Sequence, residues 1–166
     1  MGEKKEVDKK YRGYRYIVLA LSGGYRCGYV QIPKGHFLYE KDYSEQLPIR
    51  FKYIKKEKWG KRGMITMLLG ANLRDEDNIF MYMLFNVHGS ITFSGKLRGK
   101  RGYWIGFDCN HVGDAKDPSI MDEMHRKIED RCGPLPIEGV IRTTEYVEKE
   151  CKSLIDQIIC WFDKKK

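Results

Sequence analysis

Asp108, Cys109, His111 and Asp114 fall within one short stretch, Gly106-Phe107-Asp108-Cys109-Asn110-His111-Val112-Gly113-Asp114. A second stretch, Val87-His88-Gly89-Ser90-Ile91-Thr92-Phe93-Ser94-Gly95, adds His88, Thr92 and Ser94. Both set metal-capable or proton-transferring groups beside glycines. Two imidazoles with a carboxylate can hold zinc, manganese or ferrous iron and leave positions open for water. His88, Asp108 and His111 are the expected ligands of such a divalent metal, with Asp114 as base or fourth ligand. A bound ion lowers the pKa of its water and polarises a phosphoryl or carbonyl oxygen. Asp108 and His111 are three residues apart, as are His111 and Asp114, and a turn about Gly113 lets that spacing converge.

The same groups permit other readings. Cys109 could act as a nucleophile with His88 or His111 as its base and an aspartate as orienter, against the ordinary role of a buried free thiol. Without chemistry, the cluster could hold a ligand by charge-assisted hydrogen bonds, or tie two hairpins together as a buried polar network. His36, in Pro33-Lys34-Gly35-His36, sits where a strand ends and is expected to reach the site and contact substrate. Tyr39 and Trp104 offer rings for stacking, Ser94 a hydroxyl, and Arg101 a charge for a phosphate.

The elements that must position these groups follow from periodicity. Tyr14 to Leu21 and Tyr25 to Ile32 read as strands joined by Ser22-Gly23-Gly24, an antiparallel hairpin. Ile49 to Ile54 alternates as a half-exposed strand. Met64 to Leu69 and Ile79 to Val87 read as short strands, with a helix as the alternative for the first. Ile91 to Phe93 and Tyr103 to Phe107 form a second hairpin. Helical spacing of Ile120, Met121, Met124 and Ile128 follows a capping box at Ser119, and Cys132-Gly133-Pro134-Leu135-Pro136 stops that helix. A last helix begins at Thr143 or Thr144 and carries Val147, Cys151, Leu154, Ile155, Ile158 and Phe162 on one stripe. The fold class is therefore α+β: an antiparallel sheet of about five to six strands with two helices, the C-terminal one packed on the sheet. Residues 1–10 are expected to be a disordered tail, and 11–163 a single domain.

Composition narrows the partners. The 166 residues carry a formal charge of +8, with basic segments at 55–62 and 96–101. That balance favours an anionic small molecule or nucleotide, with nucleic acid a weaker expectation. The five cysteines include no C-x-x-C, so neither a disulfide framework nor a zinc knuckle is expected. No apolar run approaches a membrane span, so no membrane partner and a cytoplasmic location are expected.

Gly28-Tyr29-Val30, Pro33-x-Gly35-His36-x-Leu38-Tyr39, the Val87–Gly95 stretch, Gly106-Phe107-Asp108-Cys109-x-His111-x-Gly113-Asp114 and Arg142-Thr143-x-Glu145-Tyr146-Val147-x-x-Glu150 resemble an uncharacterised group of small bacteriophage and bacterial proteins. The resemblance spans about residues 25 to 157 and omits 47–80 as an insertion. That group usually has two glycines after the first-stretch histidine, and Ser90 stands in place of the second. The resemblance implies a phage-associated accessory role and singles out His36, His88, Asp108, His111 and Asp114. Residues and resemblance together lead to one expectation, a metal-assisted hydrolase of a phosphorylated or nucleotide-like substrate. The alternative is a non-catalytic binder that sequesters a nucleotide signal of host anti-phage defence.

Overall fold

The structure, a computed structural model, describes residues 2–54, 61–133 and 139–163. Five antiparallel strands form the main sheet, in the order β1-β2-β3-β7-β6. They are β1 (Glu3–Tyr11), β2 (Tyr14–Leu21), β3 (Tyr25–Ile32), β6 (Phe93–Gly95) and β7 (Tyr103–Asp108). The expected hairpins are the β2–β3 and β6–β7 pairs, with β6 at Phe93–Gly95 rather than at the expected Ile91 to Phe93. Between them come β4 (Gln46–Arg50), α1 (Met64–Gly70), β5 (Asn78–Phe80) and α2 (Met81–Leu84). After β7 follow β8 (Asp114–Ala115), α3 (Glu123–Cys132), β9 (Val140–Ile141) and α4 (Thr144–Ile158).

The expected tail is not free from residue 3 onward: Glu3–Tyr11 is the edge strand β1. The turn Arg12-Gly13, with φ of 48° and 88°, is the two-residue reversal that hairpins favour, and it pairs Tyr11 with Tyr14. Lysines along β1 protect the open edge from pairing with another chain, while Val7 turns inward to the core. Met64–Gly70 takes the helical alternative. Ile79 to Val87 divides into β5 and the short α2. The expected strand 49–54 ends at Arg50 and continues as a single 3-10 turn. The third helix is capped by Asp122, whose carboxylate accepts from the His125 N–H, while Ser119 caps nothing and bonds to Asp117. Part of the basic segment 55–62 and of the expected helix stop 132–136 lies outside the described residues.

Alternation along the strands sorts the apolar residues onto two faces. Tyr16, Val18, Val30, Ile32, Ile105 and Phe107 face α4, whose Val147, Cys151, Leu154, Ile155 and Ile158 are buried against them. Ile17, Leu19 and Trp104 form a smaller cluster on the reverse. Gly28 permits the close approach of α4. A Cβ there would stand 2.6 Å from Phe107 Cζ and 2.7 Å from Cys151 Sγ.

The outer side of α4 is tied down through Glu148. Its carboxylate accepts from the Tyr16 hydroxyl at 2.7 Å and pairs with Lys152 at 3.0 Å and Lys9 at 3.2 Å. The Tyr16 hydrogen bond, then Lys152 and Lys9, outweigh burial and hold this carboxyl down at about 2. A depressed folded pKa stabilises the fold above the unfolded value, and that gain is lost as pH falls through the folded one. We expect Glu148→Gln to be less stable than the wild type at neutral pH. It should lose less stability than the wild type between about pH 4.5 and about pH 2, and denaturant melts across that window check this.

Candidate metal centre

Three loops converge at the N-terminal half of α4. The first is the turn Val87-His88-Gly89-Ser90, closed by the Ser90 N–H on the Val87 carbonyl at 3.1 Å. Gly89 has φ 65°, and a Cβ on it would lie 2.1 Å from His111 Cε1, so only glycine lets the imidazole rest on the backbone. Ser90 also has a positive φ, 79°. Its hydroxyl accepts from the Gly63 N–H at 3.1 Å and meets Thr66 Oγ1 at 2.9 Å, which compensates the strained backbone.

The second loop is the turn 111–114 about Gly113, φ 90°, closed by the Asp114 N–H on the His111 carbonyl. It folds the Asp114 carboxylate back onto the His111 N–H at 2.9 Å. The third is β9, which pairs in parallel with β8 in the register Asp114↔Val140. Two residues on, Arg142 donates through Nε to Asp114 Oδ1 at 2.8 Å.

Around these turns the cluster assembles. His88 Nε2 stands 2.8 Å from Asp114 Oδ2, and His88 Nδ1 stands 3.1 Å from the Tyr146 hydroxyl. His111 Nδ1 is 3.7 Å from Asp114 Oδ2 and 3.9 Å from Asp108 Oδ1. That nitrogen is buried and has no hydrogen-bond partner. One donor atom from each of His88, His111 and Asp114 lies within 4.8 Å of the others, close enough to share an ion. Ligands at tetrahedral zinc, with bonds of about 2.0–2.1 Å, sit about 3.3 Å apart, and 2.8 and 3.7 Å bracket that edge.

A second layer fixes these donors. The Tyr146 hydroxyl holds the far nitrogen of His88, the role that an outer partner plays for a ligating histidine. Burial, and then the charge of Glu150, push its phenol up to about 12, so it stays neutral. The Arg142 guanidinium lies over the Tyr146 ring, 4.9 Å from its centroid. Burial pushes the Asp114 carboxyl up, but Arg142, the His111 N–H and His88 together hold it below the usual carboxylate value. The buried Glu150 accepts from the His88 N–H at 3.1 Å and pairs with Lys61. Tyr146 and Glu150 lie one turn apart on α4.

His88 and His111 open onto a cleft of about 740 Å³. Ser90, Thr92 and Asn110 add polar groups to it, Met64, Ile65, Leu69, Tyr82, Ile91 and Val112 give it apolar walls, and Lys61 stands among its lining residues.

Of the residues singled out in the sequence, His88, His111 and Asp114 come together as donors. Asp108 lies beside them rather than among them: its Oδ2 accepts from the Thr92 hydroxyl at 2.8 Å and its Oδ1 from the Asn110 N–H. His36 is elsewhere. Its Nδ1 accepts from the Leu38 N–H, and its ring meets Phe162 and Asp163 beyond the C-terminal end of α4. Glu150 and Asp163 are thirteen residues apart, about 20 Å at a helical rise. Trp104 is buried on the reverse face of the sheet, where alternation along β7 puts it. Arg101 precedes β7, seven residues and about 20 Å of strand from Asp108. Tyr39, partly buried, packs against Tyr103 at the edge of the core, ring centroids 5.7 Å apart. Ser94 accepts from the Tyr43 N–H and so positions a residue of the cleft wall without entering it.

Cys109 is 2% exposed, and burial pushes its thiol well above the ordinary value, so it holds no thiolate for attack. Cys27 and Cys151 are buried too, whereas Cys160 is exposed. We expect a thiol reagent to label Cys160 in the native Cys132→Ser variant, and Cys27, Cys109 and Cys151 only on unfolding. Mass mapping of the labelled peptides checks it.

Arg142, Tyr146 and Glu150 entered the sequence reading only within the resemblance, and Lys61 only within a basic segment, none of them with a role at this site. One signal was available. Glu150 follows Val147 by three and precedes Cys151 and Leu154, which sets a carboxylate on the apolar stripe of α4, where a charge needs a partner.

Comparison with protein-family models, with curated proteins and with solved structures finds no match to the chain. Function has therefore to be argued from the site.

Proposed function

We propose that the protein is a small metal-assisted hydrolase of a phosphorylated or nucleotide-like molecule, with His88, His111 and Asp114 as metal ligands. The observation that carries the reading is His111 Nδ1, buried without a hydrogen-bond partner and 3.7 Å from the carboxylate that already holds His88. A buried polar atom left unsatisfied calls for a missing partner, and an ion shared with Nε2 of His88 and Oδ2 of Asp114 would supply one. Three protein ligands and an open position are the pattern of catalytic zinc. When bound, the ion would polarise a phosphoryl oxygen and acidify its water.

The remaining roles belong to the chain. Tyr146 and Arg142 orient His88 and Asp114. Asp108, at 30% side-chain exposure and 3.9 Å from His111, takes the proton-accepting role that the sequence suggested for Asp114. Lys61, paired with Glu150, stands at the cleft, and Tyr82 with the apolar wall offers a surface for a base or other ring.

One observation favours the non-catalytic alternative. Arg142 already compensates the charge of Asp114, as suits a pocket that binds its ligand without an ion.

Zinc- or manganese-loaded protein incubated with bis(p-nitrophenyl) phosphate and with cyclic dinucleotides, then denatured, separates the two. The hydrolase reading expects products that require the metal, with the rate falling at least about a hundredfold in His111→Ala. Recovery of intact, stoichiometric ligand with no product would contradict it and support the binder.

A further inference from the structure

The bridge that carries Arg142 to Asp114 is two residues long and parallel, and two strands of that length do not hold themselves together in water. Its near end is closed by the Val140 N–H on the Gly113 carbonyl at 2.9 Å. A Cβ on Gly139 would stand 2.6 Å from the Ala115 nitrogen, so the approach of the strands needs a glycine there.

What fastens the far end is Arg26. Its Nη1 donates to Asp117 Oδ2, two residues past β8, at 2.8 Å, and to the carbonyl of Arg142, the first residue past β9, at 3.2 Å. One nitrogen therefore holds both strands where they leave the bridge. On the other edge of the guanidinium, Nε and Nη2 grip the Glu6 carboxylate of β1 at 2.7 and 3.2 Å, fork on fork. Nε also reaches Thr144 Oγ1, at the start of α4, at 3.2 Å.

The cluster is closed to water: the side chain of Arg26 is 8% exposed, and those of Glu6 and Asp117 are each 14% exposed. One cation faces two carboxylates, and hydroxyls meet their remaining lone pairs. Thr144 donates to Glu6 at 2.7 Å, and Ser119 donates to Asp117 at 2.6 Å. A lysine has no fork and could not hold β1 and both ends of the bridge at once. Arg26 is itself anchored in the sheet, opposite Ala20 of β2, and its carbonyl accepts from the Cys109 N–H at 2.9 Å.

We propose that Arg26 is a positioning residue for the candidate centre: it locks the β8–β9 bridge and so sets Arg142 against Asp114. The part that Asp114 plays rests on the metal reading, whereas the clamp itself does not. Through Glu6, the first strand also takes part in supporting the site.

Amide hydrogen exchange and zinc affinity, both measured on folded protein, test it. In metal-free Arg26→Gln the Val140 amide should exchange at least about tenfold faster than in the wild type. Zinc affinity should fall at least about tenfold in the same variant. In an Arg142→Ala background the same change should cost less than about twofold, because the clamp then has nothing to aim. Arg26→Lys keeps the charge without the fork and should not rescue either property. Asp117→Asn leaves the Glu6 pair in place and should show the same pattern at about threefold or more, which decides the matter if Arg26→Gln does not fold. An equal loss of zinc affinity in both backgrounds would make Arg26 a prop of the fold alone and overturn the proposal. Val140 exchange unchanged in the Arg26 and Asp117 variants would also overturn it, whatever zinc does. Failure of the metal reading shows separately, as a wild type that binds no zinc, and leaves the exchange result to decide the clamp.

Discussion

Asp114→Ala is expected to abolish ion binding and to destabilise the fold by about 3 kcal/mol. The side chain is 3% exposed and joins three loops, through His88, the His111 N–H and Arg142. Alanine strands all three donors, and stranding a buried charge costs more than the pair contributed. The figure sits at the low end of that range because Arg142 is 25% exposed and can rehydrate. The melting temperature should fall by roughly 6–12 °C. Asp114→Asn keeps an acceptor and the volume, so it should recover part of the stability and little of the ion affinity. If both variants bound an ion as the wild type does, Asp114 would have no place among the ligands.

Gly89→Ala is the second large effect, and it replaces no ligand. Its methyl would stand 2.1 Å from His111 Cε1, at a φ of 65° that costs an L-residue about 1–2 kcal/mol. The imidazole has to move, because the other side of the contact is backbone. Ion affinity is expected to fall about 10–100-fold, the usual penalty for disturbing the groups that orient a ligand. A calorimetric titration of folded Gly89→Ala reads this directly. Unchanged affinity would mean that the seat of His111 on Gly89 does not set the site.

Much of the scaffold was legible before the structure because its signals are local. The α4 stripe from Val147 to Ile158, the glycine turn between β2 and β3, and the alternation of β7 each follow from a single period. Residues 3–11 misled because an edge strand carries one buried residue, Val7, among lysines, which reads as a solvated tail. The turn Arg12-Gly13 was the available correction.

The site was legible in part for the same reason. His88, His111 and Asp114 stand in short glycine-bearing turns whose residue types declare themselves. The outer layer did not, because it depends on long-range register. A two-residue parallel bridge, β8 with β9, brings Arg142 to Asp114, and nothing in either segment announces it. Tyr146 and Glu150 reach His88 only because α4 crosses the sheet at this end. His36 and Trp104 failed as site residues on geometry alone: one lies a helix length away, the other on the far face of the sheet.

A single centre formed by His88, His111 and Asp114 is tested most directly by zinc titration of the metal-free protein near pH 7. It predicts one ion bound per chain, with affinity reduced at least about tenfold in His88→Ala and in His111→Ala. No binding by the wild type, or the same affinity in both variants, would contradict it.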